Sequence, residues 1–163
     1  IRIGASGTVA LSQNEMLIGA SNSSVGSAMT KTFSGTIGTS ATAAVLTFKA
    51  QNGTSGTIVT GASNFMGAEV TVSLKSGTNY ESKKFMIHHN NAVADGTDIF
   101  ITEYAALGTE IGETVAVDMG DADGTGLTSN SDKHIHFKLT NPSGTDTLEY
   151  SGIAHLVEVP GDS

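Results

Sequence analysis

Residues 82–104 alternate with a two-residue period on either side of a polar link. In residues 83–89, Phe85, Ile87 and His89 point one way while Lys84, Met86 and His88 point the other. In residues 97–104, Ile99, Ile101 and Glu103 alternate with Phe100, Thr102 and Tyr104. Successive side chains leave opposite faces of a strand, so the two runs, joined through Asn90, Asn91, Asp95 and Gly96, predict a β-hairpin. The same period recurs along the chain. Ala44, Leu46 and Phe48 oppose Val45, Thr47 and Lys49, and Ala68, Val70, Val72 and Leu74 oppose Glu69, Thr71, Ser73 and Lys75. One wet and one dry face is the pattern of an antiparallel sheet with a single buried side.

Further strands are expected at residues 57–60 and at 113–119, where Val115, Val117 and Met119 alternate. In residues 134–139, His134, His136 and Lys138 oppose Ile135, Phe137 and Leu139. Residues 147–159 supply the closing strand or strands, with Ile153, His155, Val157 and Val159 on one face. Turn chemistry at Asn52-Gly53, Ser76-Gly77-Thr78-Asn79 and Asn141-Pro142-Ser143-Gly144 punctuates the runs. About eight short strands at intervals of roughly 8 to 14 residues predict an all-β fold, an antiparallel β-sandwich of jelly-roll-like type, over residues 41–163. Residues 1–40 hold only short apolar patches at 8–11 and 16–18, with no sustained helical period. They read as an irregular, extended leader that packs against neighbouring subunits in an assembly.

Composition supports the strand reading. Only 6% of the 163 residues are aromatic and 15% are charged, 20 are Gly, and small or β-branched residues dominate. With no cysteine, disulfides and thiolate metal sites are excluded, so stability must come from packing, hydrogen bonding or oligomerisation. No apolar run reaches the roughly 18 residues of a membrane span, and no signal peptide is visible. The chain begins at Ile1 rather than Met, as a processed product or excised domain would. Residues 1–80 carry four basic and two acidic side chains, a net +2, which leaves −10 on the remainder of a chain whose total is −8. An acidic surface with no basic stripe argues against binding nucleic acid.

Two stretches resemble bacteriophage structural appendage proteins. The run Gln13-Asn14-Glu15-Met16-Leu17-Ile18-Gly19-Ala20-Ser21-Asn22-Ser23-Ser24-Val25-Gly26-Ser27-Ala28 is similar to a phrase found in tail-fibre proteins just ahead of a β-rich module. The second stretch is Ser82-Lys83-Lys84-Phe85-Met86-Ile87, with Asp98-Ile99-Phe100-Ile101-Thr102-Glu103-Tyr104 and Leu107-Gly108-Thr109. It looks like a β-domain of virion structural proteins in cyanophages and other marine phages. The Asp/Gly-rich loop and the His-x-His strand towards the C-terminus depart from the usual short form. The resemblance implies a non-enzymatic, trimeric virion component, of capsid-decoration or tail- or head-fibre type, partnered by other virion proteins and located on the particle.

Candidate chemistry is sparse. His134 and His136 share one face of a strand, about 7 Å apart by strand rise. Three copies on a trimer axis would offer six nitrogens to an octahedral transition metal, while plain alternation makes the same histidines the wet face of the strand. Asp121 and Asp123, with Asp118 and Gly124, resemble part of a calcium loop, but an EF-hand would need a ligand at Met119 and a bidentate Glu at Asn130. A solvated acidic turn accounts for them equally. His88 and His89 are strand neighbours facing opposite ways and cannot chelate together. His155 reads as a core or interface side chain, and Glu103 as a lone carboxylate. No nucleophile elbow, P-loop or paired catalytic carboxylates occur, so neither enzyme activity nor a cofactor is expected. The expected function is that of a virion structural protein assembling by symmetry. A carbohydrate-binding or adhesive module, with Tyr80, Tyr104 and residues 121–123 on loops meeting a host-surface glycan, is the alternative.

Overall fold

Wherever an alternating run falls within residues 2–3, 15–18, 28–49, 67–89, 99–120 and 134–157, which the computed structural model describes, it forms strand, and no helix occurs among them. The elements are β1 (Arg2–Ile3), β2 (Glu15–Ile18), β3 (Ala28–Ile37), β4 (Thr42–Lys49), β5 (Gly67–Ser76), β6 (Asn79–His89), β7 (Ile99–Gly108), β8 (Thr114–Gly120), β9 (His134–Thr140) and β10 (Leu148–Val157). They pair as a seven-stranded sheet, β1-β2-β3-β10-β5-β6-β7, and a three-stranded sheet, β4-β9-β8. Pairing is antiparallel except between β1 and β2. The expected strand at 57–60 lies outside the described residues.

From β3 onward the order is that of a partly rolled jelly roll. The first of these eight strands pairs with the last, β3 with β10, and the second with the last but one, β4 with β9. The nesting then stops, because β5, β6 and β7 form a continuous meander in the larger sheet and only β8 crosses to the smaller one. The expected hairpin is the β6–β7 pair, with Phe85 opposite Glu103 and Ile87 opposite Ile101. A two-residue turn joins β5 to β6, with Gly77 at φ +57, the left-handed conformation that a tight hairpin turn requires.

The core lies between the sheets. Val70, Val72 and Leu74 of β5 and Phe85 and Ile87 of β6 face Ile135, Phe137 and Leu139 of β9, all essentially inaccessible. Phe85 and Phe137 meet across it with ring centroids 5.2 Å apart and planes tilted by 56°, an edge-biased packing that the ring quadrupoles favour.

In β3, β4 and β10 the structure departs from the expected alternation. Residues 28–37, placed by sequence in an irregular leader, form β3, paired with β10 along its full length. Its inward row of Met29, Lys31, Phe33, Gly35 and Ile37 is interrupted by Lys31 and Gly35, so the period-2 signal is weak. In β4 a bulge at Val45 shifts the register. Ala43, Leu46 and Phe48 therefore face the core, and Ala44 pairs with Lys138 on the opposite side. In β10 the buried face is Leu148, Ala154 and Leu156, whereas His155 and Val157 are exposed. This parity is set by register: Leu156 lies opposite Ala68 and Ala154 opposite Val70, so β10 must turn its even-numbered residues inward with those of β5.

Candidate functional site

Among the described residues, the densest group of charges sits where β6, β7 and the link into β8 meet. Glu81 and Lys83 occupy the same inward face of β6 as Phe85 and Ile87, so the core row ends in two charged residues, both buried. The Lys83 ammonium lies 2.8 Å from Glu113, 3.4 Å from Glu81 and 3.5 Å from Glu103. The Glu113 side chain is wholly buried, that of Glu81 nearly so, and that of Glu103 is 41% exposed. Burial alone would pull the Lys83 pKa down, but the carboxylates of Glu113, Glu81 and Glu103 more than offset this, and the net shift is upward. Burial pushes the Glu113 carboxyl up, with Lys83 acting against it. The Ile111 amide donates to Glu81 Oε2 at 3.0 Å and the Thr109 amide to the Tyr80 carbonyl at 2.9 Å, which pins the β7–β8 link over the cluster.

Sequence reading missed this group and treated Glu103 as a lone carboxylate. The available signal was parity: residues 81, 83, 85 and 87 share one face, so two charges had to be buried beside two core residues. The position of Glu113 opposite them is a tertiary fact.

The His-x-His strand is placed differently from a wet face. His134 and His136 do share a side of β9, but β9 is the central strand of its sheet and His136 is fully buried. Its Nδ1 is hydrogen-bonded to Asp118 Oδ1 at 3.1 Å, and the Lys138 ammonium contacts the other oxygen of Asp118. Cross-strand register produces this arrangement, since Asp118 lies opposite His136. Asp118, grouped from sequence with Asp121 and Asp123 as part of a calcium loop, thus sits within β8 as the partner of a histidine and a lysine. Asp121 and Asp123 lie outside the described residues. Among the described residues, no three or more His, Asp or Glu are grouped so as to hold a metal ion.

A third feature occupies the outer face of the larger sheet. Gly67 lies between Val157 of β10 and His88 of β6, and with no side chain of its own it floors an apolar groove of about 390 Å³. Met86, Phe100 and Val157 wall the groove and are each more than half exposed. At its side, Tyr104 hydrogen-bonds to Glu69 and holds that carboxyl below its ordinary range, and Lys84 adds to the effect from 3.4 Å. His155 is exposed at the rim of the groove and bonded to Thr30 Oγ1 at 3.2 Å, rather than buried as its apolar neighbours suggested.

No family, curated protein or solved structure matches the chain. The geometry is therefore the ground for any reading of function. It offers a buried ionic corner, a His–Asp–Lys cluster between two strands and an exposed apolar groove on a sheet face.

Proposed function

We propose that this chain is a non-enzymatic structural module of a virion that assembles by symmetry, as a trimer, on a particle surface or tail. The observation that carries the reading is the edge strand β7. It carries most of Asp98-Ile99-Phe100-Ile101-Thr102-Glu103-Tyr104 and Leu107-Gly108-Thr109, two parts of the stretch that resembles phage structural proteins, and among the described residues it ends the larger sheet with Phe100, Tyr104 and Leu107 exposed. Among the described residues no strand pairs with the outer side of this ten-residue edge, and open backbone groups beside apolar side chains are features that isolated domains suppress and assembling ones use. Thr and Ser along the outer face of β3, with paired hydroxyls such as Ser73 and Ser82, suit a passive scaffold. Light scattering or mass photometry on the purified chain is expected to give a trimer, and a stable monomer at micromolar concentration would count against the assembly reading.

The outer-face groove favours a second reading, a glycan-binding module. Phe100 offers an exposed ring for stacking on a sugar, and Glu69, Thr102, His88 and His155 stand around it as hydrogen-bonding groups. The loop-borne site expected from sequence is replaced in this reading by a sheet face. Binding on a glycan array that is lost in Phe100→Ala would favour it, and an array without signal would remove it.

A further inference from the structure

Glu113 is the least accounted-for group among the described residues. Its carboxylate is wholly buried, and no described N–H or O–H donates a hydrogen bond of normal geometry to either oxygen, although Lys83 Nζ is only 2.8 Å from Oε1. Buried carboxylates are normally hydrogen-bonded, because a desolvated charge without partners is costly. The pair is therefore in contact and desolvated, with the Lys83 ammonium the close partner of a carboxylate that lacks its usual set of donors.

We propose that Lys83 and Glu113 condense into an intramolecular isopeptide bond that joins β6 to the start of β8, and so one sheet to the other. The steps balance without an external reagent. The Lys83 ammonium passes a proton to the Glu113 carboxylate, leaving a neutral amine beside a neutral acid, a transfer that burial of both charges assists. The amine lone pair attacks Cδ of Glu113 and a C–N bond forms. The nitrogen then loses a second proton to Glu81, which returns it to the departing hydroxyl. The C–O bond breaks and water leaves.

Glu81 is placed for that relay. Its Oε2 is occupied by the Ile111 amide, while Oε1 faces Lys83 at 3.4 Å. A groove of about 250 Å³ bordered by Glu81, Lys83 and Glu103 gives the water an exit. Holding amine and carboxyl at contact distance supplies the proximity that a bimolecular condensation in water lacks. The surrounding carboxylates keep Lys83 protonated most of the time, so the bond accumulates slowly. The product removes two buried charges and one unsatisfied oxygen, and it provides a covalent tie in a chain without cysteine. Lys138 and Asp118 are also in contact, but their side chains are 26% and 48% exposed and Asp118 is shared with His136, so water competes and no bond is expected there.

The test is intact-mass spectrometry on the full chain, aged until its mass stops changing. The expected result is a mass lower than that of the sequence by one water, with digestion yielding a branched peptide that links the Lys83 segment to the Glu113 segment. Lys83→Arg should restore the full mass, Lys138→Arg should leave the deficit in place, and Glu81→Gln should slow its appearance. The branched peptide in the unsubstituted chain is decisive even if a variant fails to fold. Full sequence mass in the aged protein overturns the proposal. So does a water loss that maps elsewhere, whether to Lys138 and Asp118 or to the Asp-Gly pairs at 95–96 and 123–124.

Discussion

Gly152 and Gly35 show how much of the sheet depends on single residues. Each lies directly opposite an aromatic residue of the neighbouring strand, Gly152 opposite Phe33 and Gly35 opposite Tyr150. The rings lie across the glycines, with centroids 6.3 Å apart. A Cβ on Gly152 would come within 2.3 Å of the Phe33 ring and 2.7 Å of the Thr71 carbonyl oxygen, which belongs to a backbone that cannot retreat. Gly152→Val should therefore cost about 1–3 kcal/mol through overpacking. Gly38→Ala meets nothing within 4 Å and should be neutral or slightly stabilising, a contrast that urea denaturation would measure. Glu69 and Tyr104 supply a pH-dependent counterpart. The Glu69 pKa is lowered in the fold, chiefly by the Tyr104 hydrogen bond, so its contribution is present above the ordinary value of 4.5 and lost as pH falls through the folded value. The Tyr104 pKa is raised, by desolvation and then by Glu69, so its contribution holds below 10.0 and is lost as pH rises through the folded value. The melting-temperature difference between the unsubstituted chain and Tyr104→Phe should be largest near neutral pH and shrink towards both extremes.

At the scale of elements, β9 and the turn that follows it carry the greatest weight. The side chains of β9 at Ile135, Phe137 and Leu139 are fully buried, and Phe137→Ala should cost about 3–5 kcal/mol in chemical denaturation. Asn141, the first residue after the strand, is also inaccessible. Its side-chain amide donates to the carbonyls of Gly38 and Asp146 at 2.9 and 2.8 Å, and its oxygen accepts from the Ser143 amide at 3.0 Å. One side chain thus ties the β3–β4 turn to the β9–β10 turn. Asn141→Asp keeps the shape but replaces a donor with a charge facing two carbonyls. It should destabilise by about 3 kcal/mol or more, and by more than Asn141→Ala, because the carboxylate is left buried and repelled. The turn itself was legible in Asn141-Pro142-Ser143-Gly144. The use of Asn141 as a bracket between two turns was not, because Gly38, which it holds in the other turn, is 103 positions away.

For the whole molecule, the question is what meets the β7 edge. Leu107 is 76% exposed there, with Phe100 and Tyr104 more than 45% exposed. A lysine on an edge strand opposes pairing with another chain. Leu107→Lys should therefore shift a trimer towards monomer in mass photometry without changing the melting temperature of the isolated domain by more than a degree or two. If the assembly survives the substitution unchanged, its interface lies elsewhere on the molecule. The bulge at which Lys84 pairs with Ala105 while Phe85 pairs with Glu103 leaves Tyr104 unpaired in the ladder and kinks this edge. It also keeps Glu103 inward, within reach of Lys83.

Alternation and turn residues alone determined the strands of the β6–β7 hairpin, the buried row of β5 and of β9, the turn at Gly77 and the all-β class. These are local properties, and a period of two can be read from neighbours in the chain. Only the tertiary structure decided the rest. It set the parity of β10, which follows its partner β5. It recruited residues 28–37 as a strand, a step stabilised by pairing with β10 rather than by their own pattern. It buried His136 against Asp118 and gathered Glu81, Lys83, Glu103 and Glu113 around one ammonium. Each of these depends on which distant strand arrives alongside, and on the low dielectric that burial then imposes. The physical reason is the same throughout: a strand's faces are written in its sequence, but the charge, register and solvent exposure of a face are settled by what packs against it.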